Sequence, residues 1–169
     1  MKVVLYMAMT VNGLIAKEND ETPWSDIEWE SYAKVIRQFK NLILGRRTYE
    51  IMNADKNLFS KIGNPFTVVV TKQKLLDTKN FAFVKTPKEA LKLLKEKRFS
   101  EVLLGGGGTI NGAFMKENLI DEVYLDVEPL VFGKGIKLFA NADFETKLEL
   151  LSIKKLSKSE LQLHYKVLK

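Results

Sequence analysis

The sequence predicts a single α/β domain: a mostly parallel central sheet, helices on both of its faces, and an antiparallel hairpin at the C-terminal end. Three observations carry this. Short apolar, β-branched runs alternate with stretches of helical periodicity along most of the 169 residues, the order that right-handed crossover connections produce. Several of these runs lead directly into glycine, Arg-Arg or Thr-Lys, as at a strand end that opens into a helix. The last two runs are instead joined around a short polar "SKS", which suits a hairpin.

In chain order, "KVVLYMAM" is nearly continuous apolar sequence and reads as a strand buried on both faces. "TVNGLIAKENDETPW" reads as a loop, punctuated by Asn12-Gly13 and Pro23. Ser25, with Glu28 three residues later, forms a capping box that starts a helix. Trp29, Tyr32, Ala33, Ile36 and Phe39 then fall on one helical stripe, expected in the core, while Trp24 lies outside it and could cap a pocket. "NLILG" is a short strand and "RRTYEIMNA" a short helix. "PFTVVVT" and "FAFVK" are the third and fourth strands. "TPKEALKLLKEKR" is a helix with Thr86 as its cap and Pro87 at its first position. "EVLL" is the fifth strand, "TINGAFMKENL" a helix and "DEVYLDVEPLV" the sixth strand; "KLELLSIKKLS" and "ELQLHYKVLK" close the chain. No linker, repeat or low-complexity segment interrupts the pattern, so one domain is expected over residues 1–169.

Composition narrows the chemistry. At 46% hydrophobic and 28% charged, the chain reads as an ordinary globular protein. No apolar run approaches a membrane span, and no signal peptide is recognisable, so a cytoplasmic protein without a membrane partner is expected. The absence of cysteine and the single histidine, His164, exclude disulfides, thiolate nucleophiles and Cys- or His-rich metal sites. Lys+Arg 27 against Asp+Glu 21 gives +6, with the two signs interleaved as on a solvated surface. Most aromatics lie in apolar stretches rather than among the basic residues, which disfavours stacking on nucleic-acid bases. A modest positive field also suits a phosphorylated small molecule.

Three strand ends carry residues for such a ligand. Gly105, Gly106, Gly107 and Gly108, followed by Thr109, either cradle an anion at a helix N-terminus or make a tight, closely packed strand-to-helix turn. Gly45, Arg46, Arg47 and Thr48 put two guanidiniums and a hydroxyl at a second junction, suited to a dianionic phosphate. Thr71 and Lys72 occupy a third, where ordinary surface charge is the alternative. In an open α/β sheet such ends converge on one crevice, and a ligand with several phosphates accounts for them together.

In combination, "YMAMTVNGLIA", "LILGRRTYE", "LLGGGGTINGAF" and "DEVYLDVEPLVFGKGIKLF" resemble the dihydrofolate reductase superfamily. The last stretch is most similar to the reductase domain of riboflavin-biosynthesis deaminase-reductases and their stand-alone relatives. The resemblance implies a three-layer dihydrofolate-reductase-like fold, NADPH as hydride donor and a small heterocyclic substrate. The expected reaction reduces the ribosyl C1′ of a phosphoribosylaminopyrimidine; dihydrofolate is the alternative substrate. A non-catalytic anion- or nucleic-acid-binding module on the same fold is the alternative of another class. By the same resemblance, Ala8 and Ile15 hold the nicotinamide carboxamide through their backbones. Arg46 contacts the 2′-phosphate with Thr71 and Lys72 nearby, and Arg47 and Thr48 reach other phosphate oxygens. Gly106, Gly107, Gly108 and Thr109 cradle the pyrophosphate, and Gly105-Gly106 is the expected cis peptide. An arginine at Arg46 independently favours NADPH, since an NAD site would prefer a carboxylate there. "VFGKGIKLF", near the family's subunit contact, makes a homodimer the expectation.

Two acids are candidates for the chemistry. Folate reductases carry a carboxylate in the first turn of the helix after the mobile loop; an ungapped match puts Trp29 there, between Glu28 and Glu30. Glu28 is expected in the capping box, with proton relay as its alternative role. Asp126 shares a strand face with Tyr124 and Glu128, and an ionised carboxylate in a buried strand needs a partner. It is expected either to bind or protonate substrate or to form a salt bridge near a sheet edge.

Overall fold

The computed structural model of the protein describes residues 1–140 and 142–169. The elements run β1 (Lys2–Thr10), β2 (Leu14–Ala16), α1 (Asp26–Phe39), β3 (Asn41–Gly45), α2 (Arg46–Ala54), α3 (Leu58–Lys61), β4 (Phe66–Val70), β5 (Phe81–Val84), α4 (Pro87–Glu96), β6 (Glu101–Leu104), α5 (Gly108–Lys116), β7 (Glu122–Glu128), β8 (Ile136–Lys137), β9 (Lys147–Lys155) and β10 (Leu161–Leu168). The main sheet has the order β5-β4-β3-β6-β1-β7-β10-β9. Its strands from β5 to β7 are mutually parallel, and β10 and β9 form the antiparallel hairpin.

The sheet separates two cores. Val3 and Leu5 of β1 point into one, with Ile43, Leu104 and the apolar sides of α4 and α5. Val4 and Tyr6 point into the other, with Leu42, Leu44 and residues of α1 and α2. Side chains alternate along a strand, so an almost unbroken apolar run fills both layers. Thr86 caps α4 through the Glu89 amide at 3.2 Å, with Pro87 just inside, as the sequence requires.

At the middle of the sheet β3 and β6 share a single register pair, Ile43 with Leu104. The buried Asn41 side chain makes up the deficit: its Nδ2 donates to Glu101 O at 2.9 Å and its Oδ1 accepts from Leu103 N at 3.1 Å. Beyond that stitch, Gly105 N donates to Ile43 O at 2.9 Å and Gly45 N to Gly106 O at 2.8 Å, binding the two strand ends that open into α2 and α5.

Four features depart from the sequence reading. The loop after β1 contains β2, which pairs with β8 to form a separate ribbon, and each is too short to show a period. The four-residue α3 was likewise not legible. β7 stops at Glu128, because Pro129 cannot donate to a ladder and Leu130 N turns back onto Glu128 O at 2.7 Å. The cis peptide lies at Gly106-Gly107, one bond later than expected: Gly105 is still tied to β3, and the chain turns only at Gly106, with φ +92°.

Candidate active site

A cavity of about 940 Å³ opens across the C-terminal ends of β1, β3, β4 and β6. One half is lined by Gly45, Arg46, Arg47, Thr48, Thr71, Lys72, Gly105, Gly107, Gly108 and Thr109. Gly106 does not line it; its turn instead sets the course of the bend, and a Cβ there would meet Met7 Sδ at 2.8 Å. Gly108 is required by packing, since a Cβ would lie 2.2 Å from Lys137 O. Gly107 faces the space between Thr48 Oγ1, 3.1 Å from an added Cβ, and Ile15. Tight packing and an open cradle therefore coexist in the tetraglycine bend.

The helices α2 and α5 both begin at this half, each from a glycine N-cap with no side-chain cap, so both present amide groups and a positive dipole end to the cavity. Arg46 Nη1 lies 2.8 Å from both carboxylate oxygens of Glu50, and Arg47 binds Asp20 Oδ2 through Nε at 2.8 Å and Nη2 at 2.5 Å. These exposed pairs exchange readily for another anion.

The other half is aromatic and acidic. Tyr6, Trp24, Glu28, Trp29, Tyr32 and Met52 line it, and Ala8 and Ile15 lie between the halves. Trp29 corrects the reading of its stripe: Ile36 is in the core, but Trp29 is 36% exposed and meets Tyr32 edge-on, with ring centroids 6.1 Å apart. Trp24 stacks on Phe132 at 6.1 Å.

Glu28 is a second correction. Ser25 Oγ accepts from Glu28 N at 3.0 Å, so Ser25 caps the helix as expected. The Glu28 carboxyl does not return the bond. Ser25 Oγ donates to Glu128 Oε1 at 3.1 Å, and the Ser25 amide favours the charged form of the same carboxylate. Glu28 is 3% exposed and its Oε2 has no hydrogen-bond partner among the described residues. Burial, and then the neighbouring carboxylates of Asp126, Glu128 and Glu160, push its pKa up to about 8.

Asp126 lies behind the cavity wall rather than on it. At 1% exposure it accepts hydrogen bonds from Tyr6 Oη and, at 2.8 Å, from Gln162 Nε2. Its acidity is weakened by burial, with those bonds acting in the opposite sense. The Tyr6 hydroxyl also contacts Ser31 Oγ at 2.7 Å, and burial followed by the Asp126 charge raises its pKa. Glu128 is likewise raised, by burial first. Asp126 therefore meets the cavity through Tyr6, and its partners are hydrogen-bond donors rather than a cation.

Sequence reasoning missed Tyr6, Glu128, Glu160 and Gln162 as members of this cluster. The face shared by Asp126 and Glu128 was visible; Tyr6 and Gln162 reach it only because β7 lies between β1 and β10, pairing Ala8 and Gln162 on either side of Asp126. Glu160 carried no signal.

The family model of the RibD C-terminal domain matches residues 1–161. The chain belongs to this family. Among curated relatives, the "Uncharacterized protein YwjB" of Bacillus subtilis is 33% identical over 97% of this chain and 97% of its own. "Dihydrofolate reductase type 1" of Escherichia coli is 32% identical over 76% of this chain and 78% of its own. Among solved structures, the Thermotoga maritima diaminohydroxyphosphoribosylaminopyrimidine deaminase/5-amino-6-(5-phosphoribosylamino)uracil reductase superposes with a TM-score of 0.81 at 18% identity. That match covers 99% of this chain and 56% of the larger protein. Dihydrofolate reductase from Enterococcus faecalis, solved with NADP(H) and RAB-propyl, gives a TM-score of 0.74 at 20% identity, covering 98% of this chain and 96% of its own. This member of the RibD C-terminal domain family thus has the dihydrofolate-reductase-like fold, and its named neighbours are reductases.

Proposed function

We propose that the protein is an NADPH-dependent reductase of the riboflavin-biosynthesis type, acting on the ribosyl C1′ of a phosphoribosylaminopyrimidine. The observation that carries the reductase reading is the pairing, in one cavity, of a double helix-terminus anion cradle with a buried acid whose Oε2 has no partner among the described residues. The cradle fits the cofactor: Gly107 leaves open the space a Cβ would fill beside Thr48, and Arg46 and Arg47 flank it. Arg46 would hold the 2′-phosphate, with Thr71 and Lys72 beside it. Arg47, Thr48, Gly107, Gly108 and Thr109 would hold the pyrophosphate, and the Ala8 and Ile15 backbones the carboxamide. When bound, NADPH supplies the hydride.

The reduction also consumes one proton. Glu28 holds one at neutral pH, because its pKa of about 8 keeps the carboxyl neutral, and it is poised to protonate the substrate heteroatom that gains charge as the adjacent carbon is reduced. Trp24, Trp29 and Tyr32 provide flat walls for the heterocycle.

The family match over residues 1–161 favours the ribosylaminopyrimidine. A second substrate, dihydrofolate, is favoured by a specific observation: an acid from the first turn of α1 lines the cavity, as the resemblance to folate reductases implies. A homodimer fits the edge strand β9, where Leu148, Leu150 and Ile153 are all exposed. Pairing two copies antiparallel about Ser152 sets Glu149 opposite Lys155 of the second copy.

The test follows NADPH absorbance with the ribosylaminopyrimidine phosphate and dihydrofolate separately, and with NADH as control. Oxidation with the first alone supports the riboflavin-type reaction; oxidation with dihydrofolate alone selects the second substrate. Failure to bind or oxidise NADPH, together with salt-sensitive binding to an oligonucleotide, would transfer the protein to the non-catalytic class.

A further inference from the structure

We propose that Glu128 is a positioning residue for this reaction: by taking the Ser25 hydroxyl and placing its carboxylate beside the Ser25 amide, it keeps the Glu28 carboxyl off the helix start and on the cavity wall. The inference rests on the reading of Glu28 as the acid.

The sequence places Glu28 where a capping-box glutamate belongs, and such a residue ordinarily folds back onto the amide of its cap. The Ser25 hydroxyl is taken by Glu128, and the Ser25 amide interacts electrostatically with the same carboxylate, lowering its pKa. Glu128 cannot easily yield the place. It ends β7 in register with Thr10 of β1, is buried, and its carbonyl accepts from Leu130 N at 2.7 Å. The helix therefore keeps its cap, through Ser25 Oγ and Glu28 N, while Glu28 lies 3% exposed on the cavity wall with an oxygen that no group among the described residues satisfies.

A buried acid left without a partner while a capping position three residues away is occupied by a second acid is costly for folding alone, and it is accounted for by a task in the cavity. The groups facing Glu28 are Asp126 and Glu128 from β7, Glu160 beside β10, Tyr6 from β1 and Tyr32 from its own helix. All are acidic or phenolic, so the surroundings favour the protonated carboxyl. Removing Glu128 has two consequences: one anionic neighbour is lost, and the place its carboxylate holds beside Ser25 opens to Glu28.

The experiment compares Glu128→Ala, Glu128→Gln and Glu28→Gln in the full-length protein. The readouts are carboxyl ¹³C NMR titration of Glu28 without ligand and the pH profile of NADPH oxidation with whichever of the two substrates is turned over. In Glu128→Ala, Glu28 should titrate below neutrality, and kcat near pH 7.5 should fall about tenfold with KM for NADPH unchanged. Glu128→Gln retains an oxygen acceptor for Ser25 and should recover a substantial part of that loss. A Glu28 titration and a pH profile both unmoved in Glu128→Ala, with Glu28→Gln still strongly impaired, would overturn the proposal and leave the function intact. If Glu28→Gln turns over normally, the assignment of Glu28 as the acid fails, and the titration in Glu128→Ala still decides whether Glu128 positions it. Should the alanine variant not fold, Glu128→Ser withdraws the carboxylate from Ser25 while keeping a polar side chain, and an unmoved Glu28 titration there overturns the proposal equally.

Discussion

The two halves of the cavity are built on opposite plans. The anion-binding half is made of short contiguous stretches, Gly45 to Thr48, Thr71-Lys72 and Gly105 to Thr109, each at the end of its own parallel strand. Its two guanidiniums are exposed and paired with Glu50 and Asp20. The acidic half is assembled from separate elements: Tyr6 from β1, Ser25 and Glu28 at the start of α1, Asp126 and Glu128 from β7, and Glu160 and Gln162 around the start of β10. Its four carboxyls and Tyr6 are buried, and two oxygens, Glu28 Oε2 and Glu160 Oε2, are unpaired among the described residues. A site for a charged ligand can be made of amides and exposed cations, because water pays for their solvation until the ligand arrives. A proton donor must instead be withdrawn from water, and that requires several elements to close around it.

The difference can be broken most severely at the glycine bend. Gly108→Ala places a Cβ against Lys137 O, which is backbone and cannot move aside cheaply. We expect a loss of about 3 kcal/mol, seen as a lowered denaturation midpoint, with NADPH binding lost as the bend opens. Unchanged stability would mean that the bend is less constrained than the acidic half.

Glu28→Gln tests the other half without touching the first. Turnover should fall about 100-fold, as for loss of a general acid, while NADPH affinity measured by tryptophan quenching stays the same. Arg46→Ala should do the reverse: NADPH affinity should fall about tenfold, NADH affinity should change little, and kcat at saturation should hold. A variant that moved both parameters would show the halves to be coupled.

The gentlest test is pH. Below about 4.5 the Glu28 side chain is protonated in both folded and unfolded chains; between about 4.5 and 8 the unfolded chain ionises while folded Glu28 keeps its proton. The unfolded state then binds fewer protons, so stability falls as pH rises through that window, by on the order of 1.4 kcal/mol per pH unit from this group at most. The raised carboxyls of Asp126 and Glu128 act in the same sense. Chemical denaturation at pH 5 and pH 8 should show the decline, and Glu28→Gln should flatten it.

How much was legible follows the same division. The strand ends could be read because each is a local signal: apolar run, then glycine or cation, then helix. Ser25, Thr86 and Pro87 could be read for the same reason, since caps act within one turn. The Glu28 capping box was misread because its spacing fits the local rule, and the residue that displaced it, Glu128, stands 100 positions away in sequence (128 − 28). Trp29 was assigned to the core on periodicity, but periodicity does not reveal that the layer above the stripe is a cavity.

The sequence by itself determined the order along the chain of the main-sheet strands and the longer helices, the helix starts and the three strand ends with their glycines and cations. These depend on interactions among residues a few positions apart, and such interactions hold in any tertiary setting. Only the tertiary structure decided which carboxyls share a buried space, which of them accepts from Ser25 and which lines the cavity with a buried oxygen unpaired among the described residues. Burial and Coulomb coupling depend on distances between β1, α1, β7 and β10, and the sheet order that sets those distances is a property of the whole chain.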